Sequence, residues 1–104
     1  MTGDRQQIDD LGVKFMRAIV SVLGQDRIGI IAKVCTTLAD NQVNVLDLSQ
    51  TILQNYFTMV MLVETEQCPL PFEELQQRME DAGKEVGVKI KVQSEDIFNA
   101  MHKI

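Results

Sequence analysis

From residue 16 onward the apolar and polar positions fall into blocks with two different periods. Residues 16–23 (MRAIVSVL) form a short, β-branched, apolar run that stops at Gly24, the pattern of a buried strand. Gly24-Gln25-Asp26-Arg27-Ile28-Gly29 reads as a glycine-bounded turn. After it Ile30, Ile31, Val34, Cys35 and Leu38 recur at helical spacing, with Lys33, Thr37 and Asp40 opposite. Asp40-Asn41-Gln42 breaks that helix. Residues 43–54 are strand-like, Asn55 is placed for a hairpin turn, and residues 56–66 continue as another strand. Pro69 and Pro71 punctuate a connector into a second helix with Phe72, Leu75, Met79, Ala82 and Val86 as its stripe and Gly87 as its C-terminal cap. Val88, Ile90 and Val92 alternate with Lys89, Lys91 and Gln93, as in a half-buried edge strand. Ser94 can cap a last short helix, with Glu95 and Asp96 in its first turn, His102 and Lys103 at its negative end, and Ile97, Phe98 and Met101 on a sticky face.

The order β-α-β-β-α-β plus a helix contains two split β-α-β units. The simplest arrangement is an α+β, ferredoxin-like sandwich: a four-stranded antiparallel sheet, two helices on one face, and a short C-terminal helix. Residues 1–15 are polar and acidic and are expected to be a flexible extension; residues 16–104 form the single domain. Two helices cover one face of such a sheet. Phe57, Met59, Met61 and Val63 are assigned to the core. Tyr56, Thr58, Val60 and Leu62, with Ile19, Ser21 and Leu23, make a far face too apolar to be left in water. The C-terminal helix or a second copy of the chain is expected to cover it, and a two-fold homodimer buries such a patch most simply.

The chain has 104 residues, 45% of them hydrophobic and 24% charged, which is enough for one domain whose core needs no metal or disulfide staple. Its net charge of −5 repels polyphosphate, and aromatics at 5% offer few stacking platforms, so nucleic acid is not an expected partner. No apolar run is long enough for a membrane span, and residues 1–14 lack a signal-peptide core, so a cytoplasmic location is expected. Cys35 reads as a small core residue and Cys68, beside Pro69, as a free loop thiol. One histidine, His102, and two unclustered cysteines supply neither a metal ligand set nor a catalytic pair, and no cofactor motif is present.

The loop between the first strand and first helix carries the candidate chemistry. Free N–H groups and the positive dipole end of a helix meet there, which suits a carboxylate or phosphate. The glycine spacing matches a phosphate loop, but Ile30 and Ile31 stand where Lys and Ser or Thr are needed. A small ligand with one carboxylate fits better, with Asp26 taking its ammonium group and the backbone of Gly29 and Ile30 donating to its carboxylate. A plain tight turn with Asp26 capping the helix fits the same residues.

Val22-Leu23-Gly24-Gln25-Asp26-Arg27-Ile28-Gly29-Ile30-Ile31, then Leu38-Ala39-Asp40 and Val43-Asn44-Val45-Leu46-Asp47, resembles the opening of the ACT domain. Ser49-Gln50-Thr51-Ile52, Tyr56-Phe57-Thr58-Met59 and Glu95-Asp96-Ile97-Phe98-Asn99-Ala100-Met101-His102 are similar to the short stand-alone bacterial and archaeal ACT proteins related to the glycine-cleavage-system repressor. The resemblance implies a non-catalytic regulatory module with this fold, working as a homodimer on an unidentified regulated protein. It also implies a small amino acid held at the pair interface, with Asp26, Arg27, Gly29 and Ile30 on one wall and Asn44 and Val45 on the other. A structural interaction module without ligand is the alternative. A weaker one is acylphosphatase-like phosphate hydrolysis, since Arg27 and Asn44 loosely imitate that enzyme's Arg and Asn pair.

Overall fold

The computed structural model describes residues 17–101. Its elements are β1 (Arg17–Gln25), α1 (Ile30–Asp40), β2 (Asn44–Leu53), β3 (Tyr56–Glu64), α2 (Phe72–Val86), β4 (Val88–Ser94) and α3 (Glu95–Met101). The strands form one antiparallel sheet in the order β2-β3-β1-β4, so the α+β, ferredoxin-like arrangement expected from the pattern is the one observed. The expected extension at residues 1–15, the strand start at Met16 and the roles of His102 and Lys103 lie outside the described residues.

Alternation in the strands decides where the core sits. Ala18, Val20 and Val22 of β1, Phe57, Met59, Met61 and Val63 of β3, and Val88, Ile90 and Val92 of β4 all point to the helical face and are buried. Ile30, Val34 and Leu38 of α1 and Leu75 and Met79 of α2 close over them. Cys35 and Cys68 are free thiols that both pack on this core, half-buried; Cys68 is therefore held against the protein rather than loose in its connector. No helix among the described residues is long and apolar enough to cross a membrane.

Glycines set two of the close approaches. Gly24, read from sequence as part of a turn, is a strand residue opposite Val88; a Cβ there would meet Val88 Cγ1 at 2.8 Å. The strand therefore runs two residues past Leu23, because a bare backbone lets β4 come close. Gly83 lets α2 settle on β4, where its Cβ would lie 2.6 Å from the Val88 carbonyl oxygen.

The helix ends follow their capping chemistry. Gly87 takes φ 76° at the end of α2, as expected of a C-terminal glycine. At the end of α1 the Val43 N–H donates to the Leu38 carbonyl and the Gln42 N–H to the Ala39 carbonyl, while Gln42 itself has φ 60°. That is a Schellman motif with glutamine in the position that favours glycine. Asn41, buried, adds a bond from Nδ2 to the Thr37 carbonyl at 2.8 Å.

The far face is only partly covered. α3 packs on β1 and β4, where Arg17 pairs with Glu95 at 3.1 Å, Gln93 Nε2 meets Met101 Sδ, and Ile19 is buried. β4 passes into α3 without a spacer: Ser94 ends the strand, and its Oγ accepts the Ile97 N–H at 3.2 Å. Leu23, Tyr56 and Val60 on the same face stay exposed.

Strand β2 is the unusual element. It is an edge, and all ten of its residues are exposed, Val45, Leu46, Leu48, Ile52 and Leu53 among them. Its register against β3 jumps from Val45 opposite Val63 to Asp47 opposite Leu62, leaving Leu46 as the extra residue of a β-bulge.

Candidate functional site

The loop of residues 26–29 is shaped by what holds its two ends. The Asp26 N–H donates to the carbonyl of Asn55 at 2.8 Å, tying the loop to the β2–β3 turn, where Gln54 adopts φ 57°. At the other end Gly29 stands at the N-cap of α1 with φ 95° and ψ −3°, a left-handed conformation that a side chain resists. No side chain caps this helix, so Asp26 does not play the capping role that the sequence left open. The first intrahelical bond is Lys33 N–H to the Gly29 carbonyl at 2.9 Å. The N–H groups of Ile30, Ile31 and Ala32 lie ahead of it, at the positive end of the helix.

The space in front of that helix end is open. A Cβ on Gly29 would meet no atom within 4 Å, and residues 25–29 are all exposed. Ile28 is exposed as fully as in an extended peptide, at 103%. Among the described residues the Asp26 carboxylate takes part in no hydrogen bond or ion pair. Ile30 is buried beneath the loop, so its contribution to a site is its backbone N–H alone.

Arg27 has a different station. Its guanidinium lies beside Gly87, with Cζ 3.3 Å from where a glycine Cβ would stand. That puts a cation at the C-terminal end of α2, where the negative end of the helix dipole favours it. Lys33 and Glu85, 2.6 Å apart, bridge α1 and α2 nearby.

Asn44 and Val45 are at the opposite end of the sheet. Asn44 pairs with Glu64, which pairs with Arg17 at the start of β1, whereas residue 26 follows Gln25 at its finish. Eight residues of strand separate the two rows, roughly 26 Å at 3.3 Å per residue. Within one chain Asp26, Gly29 and Ile30 lie together at the loop and the start of α1, and Asn44 and Val45 are not brought to them. Arg27 and Asn44 are equally far apart, so the acylphosphatase-like pair does not form within a chain. Two hollows of about 460 and 420 Å³ flank α2 and β4, and neither includes a residue of the loop. One feature of this region has no signal in the sequence: Gln76, on α2, donates through Nε2 to the Val92 carbonyl of β4 at 2.7 Å.

Comparison with known proteins agrees with this architecture. The ACT domain family model matches residues 17–93. A UPF0237 protein of Methanocaldococcus jannaschii is 50% identical over 88 residues, 85% of this chain and 98% of the relative. Because that alignment takes in nearly all of the relative, the relative is itself a small protein of this one domain. The solved structure of an ACT domain protein from Streptococcus pneumoniae is 40% identical, with a TM-score of 0.72, covering 84% of this chain and 98% of that one. A candidate transcriptional repressor of the glycine cleavage system shares the fold at a TM-score of 0.59 and 18% identity, over 77% of this chain and 46% of its own. With the strand order, the loop and the family match in agreement, the chain belongs to the ACT domain family.

Proposed function

We propose that this chain is a non-catalytic, cytoplasmic regulatory module, a homodimer that binds a small amino acid between the β1–α1 loop of one copy and the start of β2 of the other. The observation that carries the reading is the state of the loop: among the described residues, an exposed carboxylate without a partner stands beside an uncapped helix end, with open space between. A zwitterion complements that pair. Its ammonium group meets Asp26 and its carboxylate meets the N–H groups of Gly29 and Ile30.

The separation of Asp26 from Asn44 supports a two-copy site. An antiparallel pairing of β2 with β2 reverses one copy end for end. A two-fold axis at Gln50 sets Leu48 of one copy opposite Ile52 of the other, and Ser49 opposite Thr51. Asp47 then stands opposite Leu53, so Val45 and Asn44 of one copy reach the turn at Asn55 of the other, whose carbonyl holds Asp26. The bulge at Leu46 releases that last stretch from regular pairing, leaving Asn44 available to a ligand. The bare edge and its apolar residues supply the reason to pair. Arg27 serves this site from outside, by holding the loop to the end of α2.

Thermal unfolding in the presence of each common amino acid tests the reading. A ligand at a hundred times its dissociation constant adds about 2.7 kcal/mol. In a domain of this size that raises Tm by roughly 10–20 °C. Asp26→Ala removes the shift and leaves the ligand-free Tm unchanged, because among the described residues the carboxylate has no other partner. A flat response to all amino acids from an intact two-copy protein refutes the sensor and leaves an interaction module.

A further inference from the structure

The two edges of the sheet are treated in opposite ways. Among the described residues β2 is bare along its whole length, whereas β4 is obstructed. The close Gly24 and Val88 pair marks a narrow, non-hydrogen-bonded position of the β1–β4 ladder. By the period of two, Val88, Ile90, Val92 and Ser94 direct their N–H and C=O groups away from β1, toward whatever strand would come next. Gln76 occupies one of these: from α2 its Nε2 donates to the Val92 carbonyl at 2.7 Å. The same amide stands in the groove of about 460 Å³ that runs between α2 and β4, the space an added strand would enter. Ser94 is taken up as the cap of α3, and Lys89 and Lys91 place charge along the remaining edge.

We propose that Gln76 is an edge plug: it closes β4 to strand addition, confines self-pairing to β2, and so ends the assembly at two copies instead of letting sheets run on. A sheet with two open edges adds copies without limit, and one with a single open edge closes after one two-fold contact. The two-copy end point rests on the β2 pairing proposed above; the plug itself does not. A glutamine is suited to the task, since its amide satisfies the carbonyl without adding a charge in a half-buried place. An alanine or leucine there leaves the carbonyl free for a neighbouring strand.

The test is sedimentation velocity of the whole chain over a hundred-fold range of concentration, for the wild type, Gln76→Ala and Gln76→Leu. The leucine variant keeps roughly the volume and loses the amide, donor and acceptor alike, and far-ultraviolet circular dichroism checks that both variants retain the sheet. The wild type is expected to stop at two copies. Both variants are expected to show larger species that grow with concentration. Adding Gln50→Pro, which blocks β2, should reduce Gln76→Ala to a pair joined through β4. Folded variants whose size distribution matches the wild type overturn the plug. A wild type that stays single at every concentration overturns the β2 pairing instead. Concentration-dependent association of Gln76→Ala in that case still upholds the plug.

Discussion

Replacing Gly83 with alanine sets two effects of opposite sign against each other. Alanine is the better helix former, by roughly 0.8–1.0 kcal/mol in a helix interior. Against that, the new Cβ would lie 2.6 Å from the Val88 carbonyl oxygen, about 0.8 Å inside the 3.4 Å at which ordinary contact begins. Ile90 Cγ1 and Cδ1, at 3.0 and 3.3 Å, can turn aside, but the carbonyl belongs to the backbone of β4 and cannot turn alone. α2 must therefore lift away from β4, loosening Leu75, Met79 and Ile90, which are all buried in this layer. Overpacking of this kind costs about 1–3 kcal/mol. With a backbone atom as the obstacle the upper part of that range applies, and the net loss is about 1–2 kcal/mol. For a domain of this size that lowers Tm by roughly 5–15 °C. Thermal and urea unfolding followed by circular dichroism measure it, with an unchanged urea m-value expected. A Gly83→Ala protein that melts at or above the wild-type temperature refutes the reasoning, because helix propensity would then outweigh a contact that is not there.

The other expectations test single positions. Gly29→Ala meets no atom, yet its φ of 95° costs about 1–2 kcal/mol, partly offset by a stiffer unfolded chain; a net loss near 1 kcal/mol and a weakened amino-acid response are expected, and unaltered binding would show that the ligand does not approach this backbone. Gln42→Gly relieves the left-handed residue of the Schellman motif and should add about 0.5–1 kcal/mol in a urea melt, whereas a loss would mean that the Gln42 side chain contributes more than its backbone costs. Gln50→Pro lies at a position of β2 whose N–H, by the alternation of the ladder, faces away from β3. It should therefore leave the fold intact and abolish pairing in light scattering; a folded variant that still pairs would move the interface off β2.

Much of the architecture was legible in local pattern. The alternation Phe57, Met59, Met61, Val63 named the inner face of β3, and Val88, Ile90, Val92 that of β4, because each strand has one dry side. Gly87 announced the end of α2, since no other residue type takes a positive φ so cheaply. The span of β1 was less legible: Gly24 looks like a turn residue until β4 is placed beside it. The placement of the candidate site residues was half legible. Asp26 and Gly29 share one loop and could be read together, but the place of Asn44 depends on strand order across three strands, which no window of sequence contains. Nothing in the helical stripe of α2 distinguishes Gln76 from Gln77, yet Gln76 Nε2 bonds the Val92 carbonyl of β4 and Gln77 bonds its neighbour Asp81 on the helix surface.

Ser94 belongs to two elements at once, and this removes the hinge that a short terminal helix usually has. α3 cannot swing outward on a flexible joint; to leave the sheet it must break the Arg17–Glu95 bridge and peel back the last residues of β4 with it. Its detachment is accordingly cooperative with strand fraying, and hydrogen exchange should give the amides of α3 and those at the finish of β4 a shared opening rate. Load applied to this helix would travel straight into edge strand β4 and, through Arg17, into its neighbour β1, as through a lever welded to its axle.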